Sequence, residues 1–80
     1  MDEDERDRLS RRLREHLIAA REAKGMTQTE LARALGKSQT FVSNMERGQR
    51  RLDVVELVLI GEVLEVDVKE LLGTIRLTKQ

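Results

Sequence analysis

The sequence predicts an all-α domain, a compact five-helix bundle, and three features carry that prediction. Apolar residues over the first third recur at helical spacing. Cap residues and glycines then divide the next stretch into short units, with Thr27 and Ser38 as starts and Gly36 and Gly48 as ends. From Val54 to Leu64, after Asp53, eight of eleven residues are apolar.

The elements follow in order. Leu9, Leu13, Leu17, Ala20 and Lys24 are spaced four, four, three and four, which is one face of a helix, and Gly25 suits its C-cap. Asp2 to Asp7 holds five acids and one Arg. It reads as an arm or as the first turn of that helix, where acids suit the positive end of the dipole. Thr27-Gln28-Thr29-Glu30 is a capping box, with a hydroxyl at the N-cap and a carboxylate three residues on. A short second helix follows with Leu31, Ala32 and Leu35 inward, ending at Gly36. Ser38 caps a third helix from Gln39 to about Arg47, with Val42 and Met45 inward and Phe41 beside them. Asp53 caps a fourth helix through Leu64. Asp67 caps a short fifth that ends at Gly73. Thr74 to Thr78 alternates with period two and reads as a short strand or extended arm. The expected organisation is an N-terminal segment 1–8, a domain 9–73 and a tail 74–80.

Composition excludes several function classes. Eighty residues allow one small domain. With no Cys there is no disulfide framework, thiolate metal site or Cys nucleophile. His16 is the single histidine, on helix one, without a second ligand at metal spacing, so no metal and no cofactor is expected. One aromatic residue, Phe41, makes no stacking platform for single strands. No apolar run approaches the ~20 residues that cross a bilayer, and the acidic start is the opposite of a signal peptide. A cytoplasmic protein without membrane partners is expected. No nucleophile–base set or phosphate loop points to an enzyme.

The informative part is the pair of short helices joined by Leu35-Gly36-Lys37-Ser38. Two helices on a tight Gly-containing turn form a helix-turn-helix, whose second helix enters the DNA major groove. That helix opens with Gln39, Thr40, Ser43 and Asn44. Gln and Asn carry a donor and an acceptor together and match the N6 and N7 edge of adenine. Thr40 and Phe41 can offer apolar contact to a thymine methyl. Backbone N–H groups at the helix starts, Gln28 and Gln39, can receive phosphates.

Through Arg21-Glu22-Ala23-Lys24-Gly25-Met26-Thr27-Gln28, Glu30-Leu31-Ala32, Leu35-Gly36, Ser38-Gln39 and Val42-Ser43-Asn44-Met45-Glu46-Arg47-Gly48, the chain resembles the helix-turn-helix domain of lambdoid phage repressors, Cro and their small bacterial relatives. Gln39 to Ser43 with Arg50 to Glu56 looks like a subset of stand-alone regulators. The resemblance runs from Leu17 to Leu72, 56 of 80 positions. It implies that Gln28 bonds a backbone phosphate and buttresses Gln39. It implies base reading by Gln39, Thr40 and Asn44, with Ser43 near bases or phosphate. Lys37, Ser38, Arg50 and Arg51 match or neighbour phosphate contacts, and Arg47 lies beside the groove. Arg21 and Glu46 match a structural ion pair between helix one and the recognition helix. Three departures stand out: Leu52 replaces a common Pro, Glu65 a helix-ending Gly, and Gly61 a usual Ala. They imply a less fixed entry to helix four and an altered turn after it.

Charge is segregated in support of this reading. Residues 1–26 hold seven acids and seven bases, residues 27–51 two acids and five bases, and residues 52–80 six acids and three bases. The helix-turn-helix is therefore the one net-positive segment, and local positive charge supplies sequence-independent DNA affinity. Met26 and Met45 read as core, and Phe41 as either core edge or thymine contact.

Helix four is more apolar than one buried stripe requires. A second face against a partner subunit accounts for it, with Val55, Leu59, Val63, Ile75 and Leu77 as the expected dimer interface. The sequence thus predicts a double-stranded DNA-binding transcription regulator, a repressor acting as a homodimer on a pseudo-palindromic operator. The alternative is an antitoxin or phage switch component that also binds a protein partner through helices four and five.

Overall fold

The computed structural model describes residues 3–77 and folds them into five helices: α1 Glu3–Ala23, α2 Gln28–Leu35, α3 Gln39–Glu46, α4 Val54–Leu64 and α5 Val68–Leu77. No strand occurs among the described residues.

α1 begins at Glu3, so residues 3–8 form its first turns and not an arm. Glu5 ties that end down through Arg8 one turn later, 3.8 Å, and Arg76 of α5, 3.6 Å. Leu17 is fully buried, while Leu9, Leu13 and Ala20 pack partly buried on the core. Lys24 does not join this face. The helix stops at Ala23, and Lys24 sits exposed in the turn with its ammonium 3.5 Å from Glu65.

The caps of α2 and α3 set the turn between them. Thr27 Oγ1 accepts from the Glu30 N–H at 3.0 Å, and Glu30 Oε1 accepts from the Thr27 N–H at 2.9 Å. Ser38 Oγ accepts from the Phe41 N–H at 3.2 Å. Between them Gly36 takes φ 70°, ψ 28°, a left-handed conformation that any side chain would disfavour. α3 ends at Glu46, with Arg47 as its C-cap. Leu31, Ala32, Val42 and Met45 point inward, joining Leu17, Leu57, Ile60, Leu64, Leu71 and Ile75 in one core.

α4 starts with a second capping box, Asp53 Oδ1 accepting from Glu56 N–H at 2.7 Å and Glu56 Oε1 from Asp53 N–H at 3.0 Å. Leu52 packs partly buried against the core, so an apolar contact and the box position this entry in place of a proline. The turn after α4 keeps its left-handed form despite Glu65, which adopts φ 59°, ψ 43°. That costs about 1 kcal/mol relative to glycine. Gly61 has a packing reason: a Cβ there would stand 2.5 Å from Val68 Cγ2 and 3.1 Å from the Val66 carbonyl oxygen. The start of α5 lies directly on the α4 backbone.

The fifth helix does not end at Gly73, and residues 74–77 are helical, not a strand or arm. Asp67 Oδ1 accepts from Glu70 N–H at 3.1 Å and caps the start. Leu71 and Ile75, four apart, are both buried. Fully burying such side chains is worth about 1.5–3 kcal/mol each, more than the ~1 kcal/mol that a mid-helix glycine costs. The period-two pattern of the tail is a coincidence of Ile75 extending the helical stripe. Residues 78–80 lie outside the described residues.

Candidate nucleic-acid interface

α3 buries Val42 and Met45, three residues apart, and this turns Gln39, Thr40, Ser43 and Asn44 away from the core. Gln39 and Thr40 are exposed, Ser43 and Asn44 half-buried. Because 39 and 43, and 40 and 44, are each four apart, the four side chains share one side of the helix.

A hydrogen-bonded chain runs to that surface from the interior. Arg21 of α1 grips Glu46 of α3 in two bonds, Nε to Oε2 at 2.7 Å and Nη2 to Oε1 at 3.1 Å, and its Nη1 donates to the Met26 carbonyl at 2.7 Å. The two side chains are 11% and 6% exposed. The hydrogen bond to Glu46 raises the Arg21 guanidinium further above its ordinary value. Gln28 Nε2 donates to Glu46 Oε1 at 2.9 Å, and Gln39 Nε2 donates to Gln28 Oε1 at 2.7 Å. A carboxylate only accepts, so Glu46 dictates which way the Gln28 amide faces, and Gln28 then dictates Gln39.

The cationic residues form a rim with partners of its own. Lys37 and Ser38 are exposed at the turn. Arg47 Nη2 donates to Asn44 Oδ1 at 2.8 Å, joining two residues expected to serve separate roles. Arg50 forks onto Glu56, 2.8 and 3.2 Å, and also donates to the Arg51 carbonyl. Arg51 is exposed in the loop before α4.

Phe41 faces the core edge and the cationic rim. It packs against the buried cluster, with Leu59 and Ile60 of α4 beside it. Arg50 Cζ lies 4.5 Å and Lys37 Nζ 5.3 Å from its ring centroid, both within cation–π range. Lys37 lies before the N-cap of α3 and Arg50 in the loop after it, so helical spacing announces neither contact.

The five residues expected at a dimer interface separate in the fold. Val55 is 66% and Leu59 45% exposed, on an α4 face that also exposes Val54 and Val58. Val63 is half-buried and packs on the core. The structure corrects the expectation for Ile75: at 5% exposure it belongs to the monomer's own core, because α5 continues past Gly73 and folds it inward. The side chain of Leu77 lies outside what is described.

Among the described residues no group of His, Asp and Glu is placed to hold a metal ion, and no helix is long and apolar enough to cross a membrane.

A protein-family model described as helix-turn-helix matches residues 17–71. A curated relative, the cyanate hydratase of Laccaria bicolor, is 33% identical over 57 residues, which cover 71% of this chain and 34% of that enzyme. The chain thus spans about a third of the enzyme's length. A match of that length in an 80-residue chain necessarily includes α2 and α3.

Proposed function

The chain belongs to the helix-turn-helix family of DNA-binding domains, the type found in phage repressors and Cro, and from that premise we propose that it is a transcription repressor that binds double-stranded DNA as a homodimer. Two copies of α3 would read half-sites about 34–36 Å apart on a pseudo-palindromic operator and block access by occupancy.

The observation that carries this reading is the orientation of Gln39. One N–H of its Nε2 is used by Gln28. The other N–H and Oε1 remain, a donor and an acceptor side by side, the complement of adenine's N7 and N6. Thr40, Ser43 and Asn44 would read neighbouring bases. The backbone N–H of Gln28, Ser38, and the cations Lys37, Arg47, Arg50 and Arg51 would set the register on phosphates. Asn44 would exchange its bond from Arg47 for one from a base.

The exposed apolar face of α4 also favours a second reading, an antitoxin or phage switch component in which that face meets a different protein. The likeness to cyanate hydratase, which covers 34% of that enzyme, supports a shared helix-turn-helix unit.

Selection from a random duplex library tests the proposal. The parent should enrich a two-fold symmetric site, and Gln39→Ala should lose about 1–3 kcal/mol of discrimination at one base pair per half-site. An unchanged preference would remove Gln39 from the reading role.

A further inference from the structure

Between the first half of α1 and the loop joining α3 to α4 lies a cavity of about 370 Å³. Small ligands occupy sites of roughly 300–1,000 Å³. Four arginines line this one, Arg6 and Arg14 from α1 and Arg50 and Arg51 from the loop, against a single acidic residue, Asp7. Arg50 is already matched by Glu56. Among the described residues, Arg6, Arg14 and Arg51 form no ion pair.

Arg14 is held in place without an acid. Its guanidinium lies over Gly48, where a Cβ would stand 2.7 Å from Cζ and 3.0 Å from each Nη. Gly48 has φ 80°, a backbone angle that favours glycine, and its lack of a side chain leaves room for the guanidinium. The half-buried Arg14 thus lies against the loop and lines the cavity, with Asp7 as the one carboxylate among the lining residues. Like charges gathered on one wall repel one another, and a bound anion reverses the sign of that energy. Planar guanidinium forks match the oxygens of phosphate in paired bonds, and the Ser10 hydroxyl adds a further donor.

We propose that this cavity binds a phosphate-class oxyanion, gripped by Arg14 and Arg51 with Arg6 as the third cation. The phosphate comes either from a DNA backbone beside the groove or from a free phosphorylated small molecule. The site does not rest on base reading by α3.

The test is a heteronuclear NMR titration of the full chain with pyrophosphate at constant ionic strength. Saturable shifts are expected at the amides of Ser10, Arg14, Gly48 and Arg51. Arg14→Gln and Arg51→Gln should each weaken binding at least tenfold, while Arg33→Gln, exposed on α2, should not. Arg51 is an exposed loop residue, so its variant keeps the test valid if Arg14→Gln fails to fold. Shifts that do not saturate, or an Arg51→Gln titration equal to the parent's, would overturn the proposal. The source is settled by the salt dependence of random-duplex binding. With a DNA phosphate in the cavity, Arg51→Gln and Arg14→Gln shallow the slope by about one each, and pyrophosphate competes with duplex. With a free ligand, Arg14→Gln loses pyrophosphate and leaves the slope unchanged. Failure of operator reading would appear as no enriched sequence in the selection while pyrophosphate still bound.

Discussion

Gln39 Nε2 donates to Gln28 Oε1 at 2.7 Å, and the same Gln28 amide donates to Glu46 at 2.9 Å. An exposed side chain at the start of α3 is therefore oriented by an ion pair between α1 and α3. Gln28→Ala should leave Gln39 free to rotate and present either end of its amide. Preference for adenine over guanine at its base pair should fall by about 1 kcal/mol, the worth of one such hydrogen bond. Competition binding with base-substituted duplexes measures it. A Gln28→Ala protein with the parent's base ranking would show that the bond does not orient Gln39.

The Arg21–Glu46 pair is nearly buried, so removing one partner strands the other. Arg21→Met should destabilise the fold by about 3–5 kcal/mol, and Arg21→Met with Glu46→Leu should recover much of that loss. Urea melts of the two variants compare them directly; equal stabilities would mean that the pair is solvated. The sign of its pH dependence follows from the direction of the shift. Arg21 is raised in the folded state. Its contribution is complete below the ordinary guanidinium value and lost only as pH rises through the higher folded one, so it should not vary between about pH 6 and 9.

Features set within three or four residues are legible in the sequence itself. The boxes at Thr27–Glu30 and Asp53–Glu56 and the inward positions Val42 and Met45 depend only on local spacing. Phe41 is not legible in this way, because whether it faces core or groove depends on where α4 lies, and α4 lies beside it. Ile75 misleads because it fits the period-two alternation of Thr74 to Thr78 as well as a helix. Only Leu71, four residues earlier in the same buried stripe, separates those readings. Lys24 shares a helical spacing but falls in the turn that follows α1. Among the candidate site residues, the fork of Arg50 on Glu56 and the bond of Arg47 to Asn44 depend on long side chains that choose partners only after the backbone is placed.

The two ends of the α4–α5 turn should respond oppositely to a change at glycine. Glu65→Gly removes the left-handed strain and one exposed contact to Lys24, and should stabilise by about 0.5–1 kcal/mol. Gly61→Ala gains helix propensity but drives a methyl into Val68 and the Val66 carbonyl, and should destabilise by about 1–3 kcal/mol. Adding Val68→Ala to Gly61→Ala clears the nearer clash and should return part of the loss. Thermal melts read all three, since 1 kcal/mol moves the midpoint of a domain this size by roughly 4–8 °C. A stabilising Gly61→Ala would mean that α5 shifts away from α4 at little cost.

Val54, Val55, Val58 and Leu59 form an exposed apolar face on α4, and α4 also carries Glu56, which holds Arg50. Exposed apolar patches of this kind mark contact surfaces. If the contact is a second copy, Val55→Lys puts two like charges near the two-fold axis while leaving the core intact, because Val55 is 66% exposed. The variant should sediment as a monomer with a parent-like melting curve. Its affinity for a two-half-site duplex should fall by roughly tenfold or more, and its affinity for a single half-site should stay near the parent's, since only the linkage between the two reading heads is lost. A parent that sediments as a monomer at high concentration, both alone and with duplex, would remove the homodimer and leave the α4 face to a different protein.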